Sequence, residues 1–178
     1  MPAQTSPAVR GRLRAFNRSL PMALLRAREV VMRQFRPSLH SYGITEQQWR
    51  VLRALSSVET IEVLKLAQAT YLLAPSLSRI LKDLEDRGLI TRGASETDGR
   101  RALISILPTG RELIDAAGVR SEIIYSEITA RFGNEKLKAL HALLDDLEQC
   151  MVEPVVVDMD DAPLAVARRR GRPASDRD

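Results

Sequence analysis

The chain of 178 residues is 44% hydrophobic but only 4% aromatic, which predicts one globular domain with an aliphatic core and favours helices. It has neither an apolar run of membrane-spanning length nor the apolar segment of a secretory signal. Its single cysteine excludes an intrachain disulfide and a cysteine-rich metal site. These features suggest a reducing cytoplasm, and we expect no cofactor and no metal. The net charge of +4 comes with basic clusters near both ends, which suit a polyanion, although composition alone favours solvated, disordered ends.

The first predicted element is a helix that follows a basic arm, residues 1–18. From Ser19, apolar residues recur at three- and four-residue steps, which is typical of a helix with one apolar face. Ser19 is a possible cap, and Pro21 suits the first turn. Pro37 should kink or break this helix one turn before it, and Gly43 should end it.

The strongest local signal lies in the stretch GITEQQWRVLRAL. Thr45 and Gln48 have the spacing of a capping box, and Ile44 and Trp49 stand at the positions of a hydrophobic staple around the same turn. A short second helix is expected over residues 62–69.

A third helix is predicted in the stretch YLLAPSLSRILKDLEDRGLI. Leu77, Leu81 and Leu84 line one face, while hydroxyl and charged residues cover the rest. Gly88 suits the left-handed position after the last turn, and Leu89 can fold back on Leu84 in a Schellman ending. A strand follows at once.

Two short apolar runs flank the polar segment that contains Asp98, Gly99 and Arg100, and this pattern predicts a β-hairpin. Long helices are expected over residues 108–131 and 135–151. Three short helices followed by a hairpin make a winged helix-turn-helix, so the fold class is mainly α. The long helices at both ends must bury their apolar stripes, and pairing with a second subunit is the simplest solution.

This pattern divides the chain into a basic arm (1–18), a winged-helix domain (19–151) and a disordered tail with a basic segment (152–178). Within the domain, we expect residues 19–42 and 108–151 to dimerise and residues 45–107 to bind DNA.

The third helix carries candidate contacts to DNA, because the first residues of a helix in the major groove meet base edges. Its early exposed positions are Ser76, Ser78 and Arg79; an arginine can bond a guanine in bidentate fashion, and Lys82 one turn later can reach phosphate. The alternative is an ordinary solvated helix face, which an isolated helix would favour.

The hairpin adds a second candidate contact. A hairpin beside such a helix lies over the neighbouring minor groove, where negative potential attracts arginine. Asp98 is close enough to pair with an arginine such as Arg100 and hold it in one rotamer, which lowers the entropy lost on binding. The alternative is a simple turn with a surface ion pair.

The stretch LSRILKDLEDRGLITRGASETDGRRALISIL, followed by GREL, resembles the MarR family of bacterial transcription regulators. The resemblance covers about Leu20 to Met151, and within the family the run TEQQWR is most like the homoprotocatechuate-degradation repressors. It implies a homodimer on a pseudo-palindromic double-stranded operator, with Arg100 in the minor groove, Asp98 holding it, and Arg101 near the backbone. It also implies Ser76, Ser78 and Arg79 at the major groove.

The chain departs from the family pattern at two helix starts. Leu107 stands where the family usually has a capping threonine, and Leu73 and Ala74 precede the third helix without an acidic or hydroxyl cap. Both departures suggest helix N-termini that are less stable because they lack a side-chain cap.

Family members often bind small aromatic acids between the dimer helices and the DNA-binding lobe, so the resemblance implies an effector site. An arginine could hold a carboxylate, and an aromatic side chain could stack on a ring. The candidate residues are Phe35, Arg36, His40, Trp49, Arg50 and Arg53. Alternatively, Trp49 is a core residue and His40 an exposed one.

Other function classes have less support in the sequence. The two histidines, His40 and His141, lie on separate predicted helices, and no phosphate loop or metal spacing is present, so we do not expect an enzyme. Cys150 could make an oxidant-responsive regulator, and a winged helix could serve as a protein-interaction scaffold. The segment Arg168–Pro173 resembles an AT-hook core, although a basic disordered tail is the simpler interpretation.

Overall fold

The computed structural model describes residues 15–94 and 102–153. The first 14 residues, the hairpin tip with Asp98, Arg100 and Arg101, and the tail from residue 154 lie outside the described residues. Predictions for those segments, including the Arg168–Pro173 motif, therefore stay predictions.

The described part contains helices, a small sheet and one 3₁₀ turn, Phe16–Arg18, at the end of the predicted basic arm. In chain order, the helices and strands are α1 (Leu20–Ser41), α2 (Glu46–Ser56), β1 (Ile61–Glu62), α3 (Val63–Thr70), α4 (Ala74–Asp86), β2 (Ile90–Ala94), β3 (Ala102–Ile106), α5 (Pro108–Phe132) and α6 (Asn134–Cys150). The chain divides into two compact units between Arg131 and Phe132.

The sheet is antiparallel, with strand order β1-β3-β2. In the β2–β3 hairpin Ile90 lies opposite Ile106, and β1 adds a short third strand in which Ile61 lies opposite Ile104. Together with α3 and α4, this sheet forms the winged helix-turn-helix that the sequence predicts. The sequence did not indicate β1, because a two-residue strand exists only through its bonds to a distant partner.

The core of the first unit lies between α2, α3, α4 and the sheet. Its wholly buried members are aliphatic, as the composition predicts: Val51, Leu52, Leu55, Leu66, Leu77, Leu81, Leu84, Ile90 and Ile104. A second cluster joins the end of α1 to α2 and α5 through Phe35, Leu39 and Ile44. Trp49 packs against both clusters.

The expected side-chain cap at Ser19 and the expected break at Pro37 are wrong, while a kink at Pro37 stays a prediction. Ser19 occupies the cap position in extended conformation, but its hydroxyl donates to the Phe16 carbonyl rather than accepting from a helix amide. Pro37 does not break the helix, which continues to Ser41. A proline removes one backbone hydrogen bond, and the buried side chains of Phe35 and Leu39 hold the turns on either side of it against the core.

The end of α1 and the start of α2 follow the sequence prediction. Gly43 has a φ of +67°, and the Ile44 amide donates to the Leu39 carbonyl at 3.1 Å, as in a Schellman ending. The capping box is present: the Gln48 amide donates to the Thr45 hydroxyl at 3.2 Å, and the Thr45 amide donates to the Gln48 side chain at 2.7 Å.

Candidate nucleic-acid interface

The exposed face of α4 carries the predicted DNA-contacting residues. Because Leu77, Leu81 and Leu84 are buried, the opposite face of the helix points to solvent. Ser78, Arg79 and Lys82 are exposed and Ser76 is half-buried. None of these four side chains has a hydrogen bond or an ion pair within the described residues.

The second half of α4 contains three acidic residues, and two of them, Asp83 and Glu85, have partners on other parts of the chain. Asp83 accepts a hydrogen bond from the Gln48 side chain at 2.6 Å and lies 3.5 Å from the guanidinium of Arg87. Glu85 pairs with Arg92 of β2 at 2.8 Å. Ser76, Ser78 and Arg79 lie in the N-terminal half of α4, which is the half that enters a groove in helix-turn-helix proteins, and Lys82 follows one turn after Ser78.

The two ends of α4 differ in how they are held. Leu73 occupies the N-cap position without a side-chain bond, as the sequence departure indicates. At the other end Gly88 has a φ of +66°, and the amides of Gly88 and Leu89 donate to the carbonyls of Glu85 and Leu84 at 2.9 and 3.0 Å. The predicted Schellman ending is confirmed.

The base of the wing is fixed to the start of α5. The Leu107 amide donates to the Leu89 carbonyl at 3.0 Å, and the Thr109 hydroxyl donates to the Gly88 carbonyl. Thr109 thus anchors the helix start to the end of α4, although Leu107 cannot cap it. The wing tip, with Asp98, Arg100 and Arg101, is outside the described residues.

The predicted effector residues lie around the contact between α1 and α2, and most already have partners. Phe35 is buried, and its ring centroid lies 4.9 Å from that of Tyr125 on α5. Trp49 is half-buried, and the guanidinium of Arg53 lies 5.9 Å from its ring centroid. His40 is exposed near the end of α1.

The guanidinium groups of Arg36 and Arg50 are engaged by the protein itself. Arg36 donates to Glu29 at 2.8 Å and to Glu46 at 3.0 Å, and the hydrogen bonds from Glu29 and then Glu46 raise its pKa. Arg50 donates to the Thr70 carbonyl at 2.9 Å. An incoming carboxylate at either residue has to compete with these contacts.

Sequence reasoning missed Glu46, which lies at the centre of this cluster. Its side chain is only 16% exposed, and it contacts Arg28, Arg36 and Arg50. Burial raises the pKa of Glu46, but the hydrogen bonds from Arg28 and Arg36 outweigh it and hold the pKa below its usual value. Only the spacing of Glu46 and Arg50, one helical turn apart, is a signal readable from sequence.

The described residues contain no group of histidine, cysteine, aspartate and glutamate side chains arranged to hold a metal ion. Cys150, at the end of α6, is an exposed free thiol. No helix in the described part of the chain is both long and apolar enough to cross a membrane.

Comparison with known proteins assigns this arrangement to a family. A model described as MarR family matches residues 42–101. The homoprotocatechuate degradative operon repressor of Escherichia coli is 38% identical over 128 residues, which cover 72% of this chain and 86% of the repressor.

Solved structures give the same result. The transcriptional regulator PA4135 is 38% identical, with a TM-score of 0.73 over 76% of this chain and 98% of that chain. The structure of NadR in complex with 4-hydroxyphenylacetate is 35% identical, with a TM-score of 0.67 over 86% of this chain and 100% of that chain.

Proposed function

This chain belongs to the MarR family of transcription regulators, which are DNA-binding proteins and not enzymes, and we propose that it is a repressor that releases its operator when a small aromatic acid binds. The observation that carries the proposal is the exposed face of α4, where Ser78, Arg79 and Lys82 have no partner within the described residues. Two of the chain's relatives are a repressor of a homoprotocatechuate degradative operon and a protein whose structure holds 4-hydroxyphenylacetate.

In this proposal α4 enters the major groove, with Ser76, Ser78 and Arg79 at base edges and Lys82 at phosphate. Arg100, held by Asp98, enters the minor groove beside it, and Arg101 lies near the backbone. Residues 45–107 form the DNA-binding lobe.

The operator is bound by a homodimer. Helix α1 exposes Leu20, Leu25 and Val30, and α5 exposes Val119 and Ile123, each at half or more of its full accessible area. Apolar surface of this extent favours burial against a partner. A twofold dimer through residues 19–42 and 108–151 sets two α4 helices against successive major grooves, about 34–36 Å apart.

The effector is a small aromatic acid bound where α1 meets α2. Phe35, Tyr125 and Trp49 supply aromatic surface, and Arg53 is the arginine of the predicted set without a carboxylate partner in the described residues. We therefore assign the effector carboxylate to Arg53; the other charged candidates, Arg36, His40 and Arg50, lie on the same two helices, α1 and α2. Such a ligand releases DNA only if it binds more tightly to a dimer whose two α4 helices have the wrong spacing for the operator than to the DNA-bound dimer.

The DNA-binding proposal is tested by selecting duplexes from a random library with the pure protein and measuring their affinity by fluorescence anisotropy at several salt concentrations. Affinity should fall steeply with salt, because phosphate contacts release counterions. Arg79→Met should weaken binding to the selected duplex, whereas Arg131→Met, which removes an equal charge from an exposed pair with Glu127, should not. A flat salt response would favour a protein-interaction scaffold.

The effector proposal is tested with 4-hydroxyphenylacetate and its uncharged amide. The acid should release the duplex and raise the melting temperature, while the amide should do neither, since it lacks the charge that Arg53 pairs with. If no aromatic acid alters DNA release, the effector proposal fails and the DNA-binding proposal remains.

A further inference from the structure

The turn between α3 and α4 accepts a hydrogen bond from a side chain outside these two helices. The last carbonyls of a helix lack intrahelical donors. At the end of α3, Leu72 and Tyr71 amides satisfy the carbonyls of Ala67 and Gln68 at 3.1 and 3.2 Å. The Thr70 carbonyl instead accepts from the guanidinium of Arg50, on α2, at 2.9 Å.

The turn adopts a conformation that its own sequence does not favour. Tyr71 has a φ of +51° and is the only non-glycine residue in the described part with a positive φ. A side chain in this region clashes with its own backbone, and such residues persist only where the surroundings hold them. Tyr71 is 82% exposed, so packing of its side chain does not supply that support, whereas Leu72 packs against the core and Arg50 bonds Thr70.

Arg50 is connected to helix α1 through Glu46, which lies one turn before it on α2. Its guanidinium lies 3.6 Å from the Glu46 carboxylate, which also receives Arg36 at 2.9 Å and Arg28. Both of these arginines belong to α1. A continuous series of polar contacts therefore runs from α1 through Glu46 and Arg50 to the residue that ends α3.

We propose that Arg50 is a positioning residue for DNA binding: it fixes the turn from which α4 emerges and makes that turn sensitive to the position of α1. Helix α4 starts at Ala74, four residues after Thr70, so a displacement of the Thr70 carbonyl changes the direction in which α4 begins. This inference rests on the proposed DNA-binding function. It differs from the sequence expectation that Arg50 contacts the effector, because the donors of Arg50 point to Thr70 and Glu46.

The test compares Arg50→Met with Arg111→Met, a matched control. Arg111 also donates to a carbonyl at a helix end, that of Ser56 at 3.4 Å, but within the described residues it has no hydrogen bond to the turn between α3 and α4. Affinity for a duplex selected by the wild-type protein is measured by anisotropy across a salt series. Amide hydrogen exchange at Tyr71 and Leu72 is measured without DNA.

Arg50→Met should weaken binding by about twofold to thirtyfold at every salt concentration, the range typical of residues that couple sites without contacting either ligand. The slope of log affinity against log salt should equal that of the wild type and of Arg111→Met. Exchange at Tyr71 and Leu72 should accelerate. Arg50→Lys, which keeps one donor, should recover part of both losses.

Three results overturn the inference. A salt slope reduced by about 0.9 would mean that Arg50 contacts a phosphate directly. Affinity equal to that of Arg111→Met, or unchanged exchange at Tyr71 and Leu72, would mean that Arg50 does not position the turn. If Arg50→Met does not fold, DNA affinity and amide exchange are measured for Arg50→Lys and Glu46→Gln and compared with Arg111→Met in the same way.

The outcome for the wild-type protein separates this inference from the proposed function. If the wild type selects no duplex, the proposed function fails and the inference falls with it. If the wild type binds DNA and the Arg50 variants bind as well as the control, only the positioning role fails.

Discussion

Replacing Gly110 with alanine should destabilise the protein even though alanine is the better helix former. Gly110 is buried in the first turn of α5. A Cβ atom built there lies 2.3 Å from the Leu89 carbonyl oxygen and 2.8 Å from Cγ1 of Ile106. The first distance is more than 1 Å short of the 3.4 Å at which ordinary contact begins, and the atom it meets belongs to the backbone.

These contacts set how much Gly110→Ala lowers the free energy of unfolding. Overpacking of this kind costs roughly 1–3 kcal/mol. Moving α5 away also breaks the hydrogen bond from the Leu107 amide to the Leu89 carbonyl, which adds about 1 kcal/mol. The higher helix propensity of alanine raises the free energy of unfolding by about 1 kcal/mol. The net loss in the free energy of unfolding is about 2 kcal/mol.

Gly118, in the same helix, is the matched control because a Cβ built there meets no atom within 4 Å. Gly118→Ala should raise the free energy of unfolding by about 1 kcal/mol from propensity alone. Urea unfolding at one protein concentration, chosen equal for all variants because dimer stability depends on concentration, measures both. A shift of the urea midpoint in the same direction for both substitutions would mean that a Cβ at residue 110 does not clash with Leu89.

Three further predictions concern other parts of the molecule. Thr45→Ala removes the acceptor of the Gln48 amide and should lower the free energy of unfolding by about 1 kcal/mol in urea titrations. The folded-state pKa of Glu46 lies below its ordinary value of 4.5, so its ionised form stabilises the protein above pH 4.5, and this contribution disappears as pH falls through the folded-state pKa. The difference in free energy of unfolding between wild type and Glu46→Gln should therefore shrink when it is measured from pH 7 down to pH 3. A constant difference would mean that ionised Glu46 does not stabilise the fold. Lys82→Met should reduce the salt slope of DNA binding by about 0.9, whereas Lys138→Met, which removes an equal charge from an exposed pair on α6, should leave it unchanged.

The elements that the sequence predicted correctly are those whose cause is local. The capping box of Thr45 and Gln48 and the Schellman ending at Gly88 each involve residues within one helical turn. The exposed face of α4 follows from the spacing of its buried leucines, so Arg79 and Lys82 were identifiable from periodicity.

The features that the sequence did not predict depend on residues far apart in the chain. β1 exists because Ile61 pairs with Ile104, and helix α1 continues through Pro37 because tertiary packing outweighs the lost hydrogen bond. Glu46 is central because Arg28 and Arg36 reach it from another helix. No local pattern contains this information.

The way α4 is stabilised separates its folding from its recognition of DNA. The helix has no side-chain cap at Leu73; the contacts that hold it are the three buried leucines, the ending at Gly88, and the polar contacts of Asp83 and Glu85. None of these contacts involves the exposed residues Ser78, Arg79 and Lys82. Because the exposed residues make no hydrogen bond or ion pair within the described residues, substituting them removes no polar contact that holds the fold. A variant at these positions can therefore change which base pairs are bound while leaving the fold intact, so that loss of DNA binding there reports on recognition and not on unfolding.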